Sequence, residues 1–229
     1  MRPLTVGDAE ADHVLGCSVF DEESKMLSCD EGGKIMLWQI QTGQLMATME
    51  GHEKPVRTVS QLTYNGKSYA LSCGDDGTFK IWDLESETFR CVHTQVAHAG
   101  KEVHDCRAVQ FGPAGGWKIL TCATDSLAKV WTFPAEFKEE GDAVPDETLK
   151  GHKGEVLCGA LFVVKDTLMA LTGAKDNLIK VWALKAATTP GKVSWDPKSE
   201  LNGQLKGHDG LIYGLAVSDD GQRVLSASG

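Results

Sequence analysis

Three adjacent residues, His104, Asp105 and Cys106, have the side-chain types of a cysteine nucleophile with its base and its orienting acid. That chemistry needs the three side chains to converge, whereas neighbouring residues of a strand project to opposite faces. The sequence also lacks the motifs of zinc proteases, calcium-binding loops and serine hydrolases. We therefore predict that the protein is not an enzyme.

Seven cysteines are present, an odd number, and none forms a CxxC pair. This pattern predicts neither a disulfide framework nor a metal site, and the glycine-rich stretches lack the helix that follows a phosphate-binding loop, so we expect no cofactor. Cys29, Cys73 and Cys122 each follow a repeated hydroxyl residue, where a small buried side chain is required. Free buried thiols fit a reducing compartment, and we expect an intracellular protein, cytoplasmic or nuclear.

The formal net charge of -9 and the pI near 5.2 argue against direct binding of nucleic acid, which calls for a basic surface. The N-terminus has no basic start followed by an apolar core, and no apolar run approaches membrane-spanning length. We therefore expect other proteins as partners and no membrane insertion.

One pattern recurs four times: a Ser or Thr is followed ten positions later by a Trp, and in three copies by an Asp at the fourth position. The four Trp residues are 44, 49 and 51 positions apart, close to the period of a four-stranded propeller blade. A further copy begins at Ser226. The copies are Ser28 to Trp38, Ser72–Asp76–Trp82, Thr121–Asp125–Trp131 and Thr172–Asp176–Trp182.

Within each copy the apolar residues alternate with polar ones, as in Thr78 to Trp82, which predicts β-strands. Turn signals such as Asn65–Gly66 and Asp75–Asp76–Gly77 separate these strands. A single unit of this size cannot bury its apolar face alone. We therefore predict an all-β fold of stacked units.

A Gly-His step precedes the copies at Gly51–His52, Gly151–His152 and Gly207–His208, with Ala97–His98 as a weaker version. With this step the chain resembles the WD-repeat β-propeller family from about residue 13 to 229. The resemblance implies an incomplete propeller of four blades and the start of a fifth, over residues 13–52, 53–98, 99–152, 153–208 and 209–229. Closed rings of the family commonly have seven blades, so we expect the chain to be part of a larger protein.

The resemblance also implies a buried hydrogen-bonded tetrad in each blade, in which the indole bonds the hydroxyl, the hydroxyl bonds His and His bonds Asp. A satisfied buried network of this kind makes a blade rigid. The first blade departs from the pattern, with Gly32 at the Asp position and no Gly-His before it. The expected tetrads are His52–Ser72–Asp76–Trp82, His98–Thr121–Asp125–Trp131 and His152–Thr172–Asp176–Trp182.

Two surfaces are candidates for partner contacts. By resemblance, residues beside the tetrad turns and after the Gly-His steps contact partners in the family; here these are Lys54, Asp75, Thr124, Lys153 and Lys175. The second surface comprises two long insertions after Trp-bearing strands, an acidic one at 133–147 and a basic one at 185–199 that contains Trp195. Long loops are often functional, although a solvated loop is the ordinary alternative.

The function that this resemblance implies is a non-catalytic protein–protein interaction scaffold. Two alternatives from other classes remain: a substrate receptor of a ubiquitin ligase, and a structural subunit of a ribonucleoprotein or coat assembly. The Trp-Asp-x-Arg signature of many such receptors is missing, since Trp82–Asp83 is followed by Leu84–Glu85. The basic extensions of a ribonucleoprotein subunit are missing as well.

Overall fold

A computed structural model describes residues 12–21, 24–111, 116–133, 140–141, 143–184, 186–189, 192–195 and 200–229. All regular secondary-structure elements in these residues are β-strands, so the all-β prediction is confirmed. No helix in this part of the chain is long and apolar enough to cross a membrane.

The first two sheets each contain four consecutive antiparallel strands. The first consists of β1 (Val14–Phe20), β2 (Lys25–Asp30), β3 (Ile35–Gln39) and β4 (Gln44–Met49). The second consists of β5 (Val56–Tyr64), β6 (Lys67–Gly74), β7 (Thr78–Asp83) and β8 (Cys91–Val96).

The third and fourth sheets repeat this order, and the fifth holds two strands. The third contains β9 (Val103–Gln110), β10 (Trp117–Ala123), β11 (Leu127–Thr132) and β13 (Glu147–Lys150). The fourth contains β14 (Val156–Val164), β15 (Thr167–Ala174), β16 (Ile179–Leu184) and β19 (Glu200–Leu205). The fifth pairs β20 (Ile212–Val217) with β21 (Val224–Ser228).

Both long insertions contribute extra strands. β12 (Glu140–Gly141), from the acidic insertion, pairs in parallel with β8 of the second sheet. β17 (Ala186–Thr189) and β18 (Lys192–Trp195), from the basic insertion, form a separate hairpin.

The core lies between successive sheets, whose first strands contact one another in the order β1, β5, β9, β14 and β20. The Trp residues of the second, third and fourth sheets pack backwards onto the preceding sheet. Trp82 belongs to a cluster with Leu27 of the first sheet, and Trp131 packs edge-on against Phe79 of the second at 5.7 Å between ring centroids. Each sheet thus buries the apolar face of its neighbour, which is the stacking that the repeat predicts.

This architecture confirms the prediction of a partial propeller of four-stranded sheets. We propose the blade limits given above because each of the first four ranges holds the four antiparallel strands of one sheet. Both insertions depart from this pattern: β12 lies in the third range but pairs with the second sheet, and β17 and β18 lie in the fourth range but form their own hairpin.

Candidate functional site

The second sheet brings together the four side chains of its expected tetrad. Trp82 Nε1 donates to Ser72 Oγ at 2.8 Å, Ser72 Oγ lies 2.8 Å from His52 Nε2, and His52 Nδ1 lies 2.7 Å from Asp76 Oδ2. The hydroxyl accepts from the indole and has one hydrogen, which Nε2 can accept. In this order Nδ1 carries the hydrogen that is donated to Asp76.

The third sheet repeats the arrangement. Trp131 Nε1 donates to Thr121 Oγ1 at 3.0 Å, and His98 lies 2.9 Å from that hydroxyl and 2.8 Å from Asp125 Oδ2. The side chains of His98 and Thr121 are fully buried.

The fourth sheet has the same four contacts. Trp182 Nε1 donates to Thr172 Oγ1 at 2.8 Å, and His152 lies 2.7 Å from that hydroxyl and 3.0 Å from both carboxylate oxygens of Asp176. Asp176 also accepts the backbone N–H of Lys153 at 2.9 Å. The carboxylate therefore joins the tetrad to the segment that follows the histidine.

The first and fifth sheets hold shorter versions. Trp38 donates to Ser28 at 2.9 Å, whereas the nearby carboxylate of Asp30 accepts the backbone N–H of Lys34 at 2.8 Å. In the fifth sheet His208 lies 2.7 Å from Ser226. The departure expected in the first sheet is therefore visible in its hydrogen bonding.

The titration behaviour of the tetrads follows from burial and pairing. Burial acts to raise the pKa of Asp76, but hydrogen bonds from His52 and Thr78 outweigh it and lower that pKa to about 2. Burial lowers the pKa of His98 and of His152, and the paired carboxylates oppose that shift only partly. These two imidazoles are therefore held neutral near pH 7.

The Gly-His step has a steric reason. Gly51 has a φ of +154° and Gly151 a φ of +150°, a region that side chains rarely enter. A Cβ at Gly51 would lie 3.1 Å from Cη2 of Trp82. The glycine thus lets the chain pass across the indole before the histidine enters the tetrad.

A lysine two residues before the Trp is a further member of the network that the sequence analysis missed. Lys129 and Lys180 donate to the backbone carbonyl of the residue before the tetrad histidine, whereas Lys80 donates to the Thr94 hydroxyl at 3.0 Å. The recurring Lys-x-Trp spacing was the available signal. Met36 stands at this position in the first sheet, which lacks the Gly-His step.

The proposed partner-contact residues differ in availability. Lys54 and Lys153 are exposed, and Lys175 is 41% exposed while paired with Glu155 at 2.7 Å. Thr124 is half-buried. The Asp75 side chain is only 9% exposed and accepts a hydrogen bond from Arg57 Nε at 2.7 Å, so it is already engaged within the chain.

Trp195 lies in strand β18, but its side chain is outside the described part of the structure, as are residues 134–139 and 142 of the acidic insertion. The described end of that insertion is not a free loop. It carries β12 and an ion pair of Asp146 with Lys118 at 3.2 Å, so it docks onto the second and third sheets.

The side chains of His104, Asp105 and Cys106 do not converge on one site. His104 Nε2 lies 3.5 Å from Glu155, and Asp105 accepts the backbone N–H of Gly159 at 2.9 Å. Cys106 lies 3.4 Å from the Thr58 hydroxyl. Among the described residues no group of three or more His, Cys, Asp or Glu could hold a metal ion.

The buried thiols serve packing. Burial raises the pKa of Cys29 and of Cys158 to about 12, and that of Cys73 and Cys122 well above the usual range. All seven cysteines are free. These shifts leave little reactive thiolate at the four sites.

Comparison with known proteins agrees with this architecture. The family model for "WD domain, G-beta repeat" matches residues 43–83, 89–132, 144–183 and 199–229. Each match begins in or just before the outer strand of one sheet and continues into the next, so one repeat links two sheets. Residues 43–83, for example, contain β4 to β7.

Three relatives illustrate the similarity. The chain is 27% identical to human apoptotic protease-activating factor 1 over 91% of this chain and 15% of the relative. It is 34% identical to striatin of Rattus norvegicus over 53% and 16%, and 26% identical to elongator complex protein 2 of Drosophila melanogaster over 84% and 23%. The chain therefore spans less than a quarter of the length of each of these relatives.

The family matches cover more than half of the chain, and each of the three complete tetrads lies within one match, so the chain belongs to the WD domain, G-beta repeat family.

Proposed function

We propose that this chain is a non-catalytic scaffold that binds other proteins through one end of its stacked sheets. WD-repeat domains generally act as non-catalytic scaffolds that mediate protein interactions. In each four-stranded sheet the turn between the second and third strands lies at one end, and the other two turns lie at the opposite end. We call the first end the turn face. It carries Lys54, Lys153 and Lys175.

The observation that carries this proposal is the repeated anchoring of the turn face by buried tetrads. In the second, third and fourth sheets the Asp of the turn bonds the buried imidazole at 2.7–3.0 Å. Pinned turns hold their exposed side chains in fixed relative positions, which lowers the entropy cost of ordering them on binding. Seven free cysteines fit an intracellular location for this scaffold.

The test compares partner capture by matched lysine variants of the whole chain. The triple variant Lys54→Glu, Lys153→Glu, Lys175→Glu reverses charge on the turn face, and Lys67→Glu, Lys165→Glu does so on exposed hairpins at the opposite end. We expect quantitative affinity capture to lose at least one protein with the triple variant only. An identical partner list for both variants and the native chain would contradict the proposal.

The basic insertion at 185–199 is a second candidate surface and stays a prediction. Its hairpin of β17 and β18 pairs Ala186 with Trp195 and stands apart from the fourth sheet. We expect deletion of 185–199 to remove a partner while the chain keeps its cooperative unfolding transition. Loss of that transition would show that the insertion is part of the folded core.

A further inference from the structure

Gln95 occupies a position that is apolar in the other outer strands. In each four-stranded sheet the residue three positions before the Trp pairs with one residue of the outer strand, and in the second sheet this pair is Phe79 with Gln95. The matching outer-strand residues are Met49, Leu149 and Leu205. Gln95 is only 3% exposed, so a polar group has been buried where its counterparts are hydrophobic. Such a group needs partners to offset its lost hydration.

Ala143 supplies two of these contacts through its backbone, and Gln95 Nε2 also donates to the carbonyl of Val96 at 3.0 Å. Gln95 Nε2 donates to the Ala143 carbonyl at 3.3 Å, and the Ala143 N–H donates to Gln95 Oε1 at 3.2 Å. The carboxamide thus pairs with both backbone groups of one residue, as a neighbouring strand would. This contact recognises an extended backbone and does not depend on the side chain at position 143.

Strand pairing reinforces the contact. Glu140 and Gly141 form β12, which lies parallel to β8 opposite Thr94 and Gln95. Across the described residues, the second sheet alone has such a fifth strand. Outer strands expose unpaired backbone groups to which another chain can add. Here residues 140–141 and 143–144, which we call the strap, lie along that edge.

The strap covers the edge incompletely. Its ladder contains only two residue pairs. Val144 is 81% exposed and Val96, beside Gln95, is 55% exposed, so the strap buries little apolar surface there. A short ladder without apolar burial opens readily, because opening costs few hydrogen bonds and little hydrophobic free energy.

We propose that the outer edge of β8 is a binding site for an extended peptide segment, closed in the free protein by the chain's own strap. The segment adds as a parallel strand, presents one residue with a free backbone N–H to Gln95, and follows it with an apolar side chain that covers Val96. The site rests on the proposed scaffold function, since it is one docking site of such a scaffold. The site does not include the turn-face lysines.

The test uses the whole chain, with the strap released by Ala143→Pro. Proline has no N–H to donate to Gln95 Oε1, so the substitution opens the edge without shortening the chain. The probe is a fluorescent synthetic peptide with the sequence of residues 136–147, and fluorescence anisotropy gives its Kd. We expect the variant to bind the probe at least about tenfold more tightly than the native chain, because no strap competes with it.

Two further substitutions identify the site of binding. Gln95→Leu restores the residue type of the other sheets, and in the Ala143→Pro background we expect it to abolish probe binding. Gln44→Leu, on the exposed part of outer strand β4, is the matched control and should leave the Kd unchanged. Equal probe affinity with and without the Gln95→Leu substitution, or no gain on strap release, would overturn the proposal.

Hydrogen exchange separates this outcome from general unfolding. Ala143→Pro should speed exchange in a peptide covering residues 91–96 and leave β6 protected, and added probe should restore the protection. Faster exchange throughout the second sheet would overturn the strap as a separate element. Because this readout does not use the turn-face lysines, its failure leaves the lysine test of the scaffold proposal standing.

Discussion

The ammonium group of Lys180 donates a hydrogen bond of 2.7 Å to the backbone carbonyl of Gly151, directly before the tetrad histidine His152. Lys129 makes the same contact with the carbonyl of Ala97, also at 2.7 Å. Lys180 is 5% exposed, so the donor is largely shielded from water, whereas Gly151 itself is exposed. The lysine therefore fixes the segment that delivers the histidine into the tetrad.

Substitution Lys180→Met should lower the free energy of unfolding by about 1–3 kcal/mol, because the hydrogen bond from the buried, charged ammonium group to the Gly151 carbonyl is lost. Methionine keeps the aliphatic length, so packing changes little. Lys80→Met is the matched control, since the Lys80 ammonium donates to the half-buried Thr94 hydroxyl instead, and its loss should stay below about 1 kcal/mol. Urea denaturation of both variants gives the comparison, and equal losses would show that the carbonyl contact is not the cause.

Acid should destabilise the protein from about pH 6.5 downwards, where an unfolded histidine takes up its proton. Burial lowers the pKa of His98 and His152 in the folded state, so between pH 6.5 and those lowered values the unfolded chain binds more protons. The free energy of unfolding therefore decreases as the pH is lowered through that window. Neighbouring Lys129 and Lys180 lower the two pKa values further.

Variants identify the groups responsible for this pH dependence. His152→Gln should unfold more easily at pH 7.5 because its tetrad is broken, yet lose less stability between pH 7.5 and pH 5 than the native chain. His13→Gln is the control, since that side chain is 84% exposed, and should reproduce the native slope. Urea midpoints at several pH values measure both effects, and an unchanged slope in His152→Gln would rule out this histidine.

Repetition explains why so much of the fold was predictable. The Ser72 to Trp82 spacing sets a hydroxyl on one strand against an indole on the next, and the observed register pairs Ser72 with Lys80 and Ala70 with Trp82. Because the same spacing returns in each copy, one assignment fixes four sheets. The same structural information is thus present in each repeat of the sequence.

Contacts that occur once could not be predicted from the repeat. Asp75 precedes a turn Asp and was predicted to contact partners, but Arg57, 18 positions away, engages it. The bond between Gln95 and Ala143 joins residues 48 positions apart, and Ala143 lies outside the strands. Neither pair follows from a periodic pattern, because each depends on one substitution within one copy.

Close approach of the third and fourth sheets depends on Gly159. A Cβ at this position would lie 2.7 Å from Leu120 Cδ2 and 2.8 Å from Cys122 Sγ, both buried. Gly159→Ala should therefore force the sheets apart and cost about 1–3 kcal/mol. Gly203→Ala is the control, since nothing lies within 4 Å of a Cβ there. Thermal unfolding compares the two variants. Equal stability of Gly159→Ala and Gly203→Ala would show that Leu120 and Cys122 accommodate the added methyl group without loss of stability.

Asp105 joins the same two sheets with a buried carboxylate. Its Oδ2 accepts the Gly159 N–H at 2.9 Å, and Arg107 Nε lies 3.1 Å from Oδ1. Burial raises the pKa of Asp105, which shows that keeping the carboxylate charged there is costly. Arg107 is 48% exposed and can stay hydrated without its partner.

Two substitutions separate the hydrogen bond from the charge. Asp105→Asn keeps an acceptor for Gly159 and removes the buried charge, so at pH 7 its free energy of unfolding should stay within about 1 kcal/mol of native or exceed it. Asp105→Leu leaves that N–H without an acceptor and should cost about 1–3 kcal/mol. The raised pKa makes Asp105 bind a proton more readily in the folded protein than in the unfolded chain. As the pH falls from 7 towards 4, the free energy of unfolding of the native chain should therefore increase relative to that of Asp105→Asn. Urea denaturation at both pH values decides the matter. If Asp105→Asn loses as much as Asp105→Leu at pH 7, the charge of Asp105 and its pairing with Arg107 within β9, and not the bond to Gly159, account for its contribution to stability.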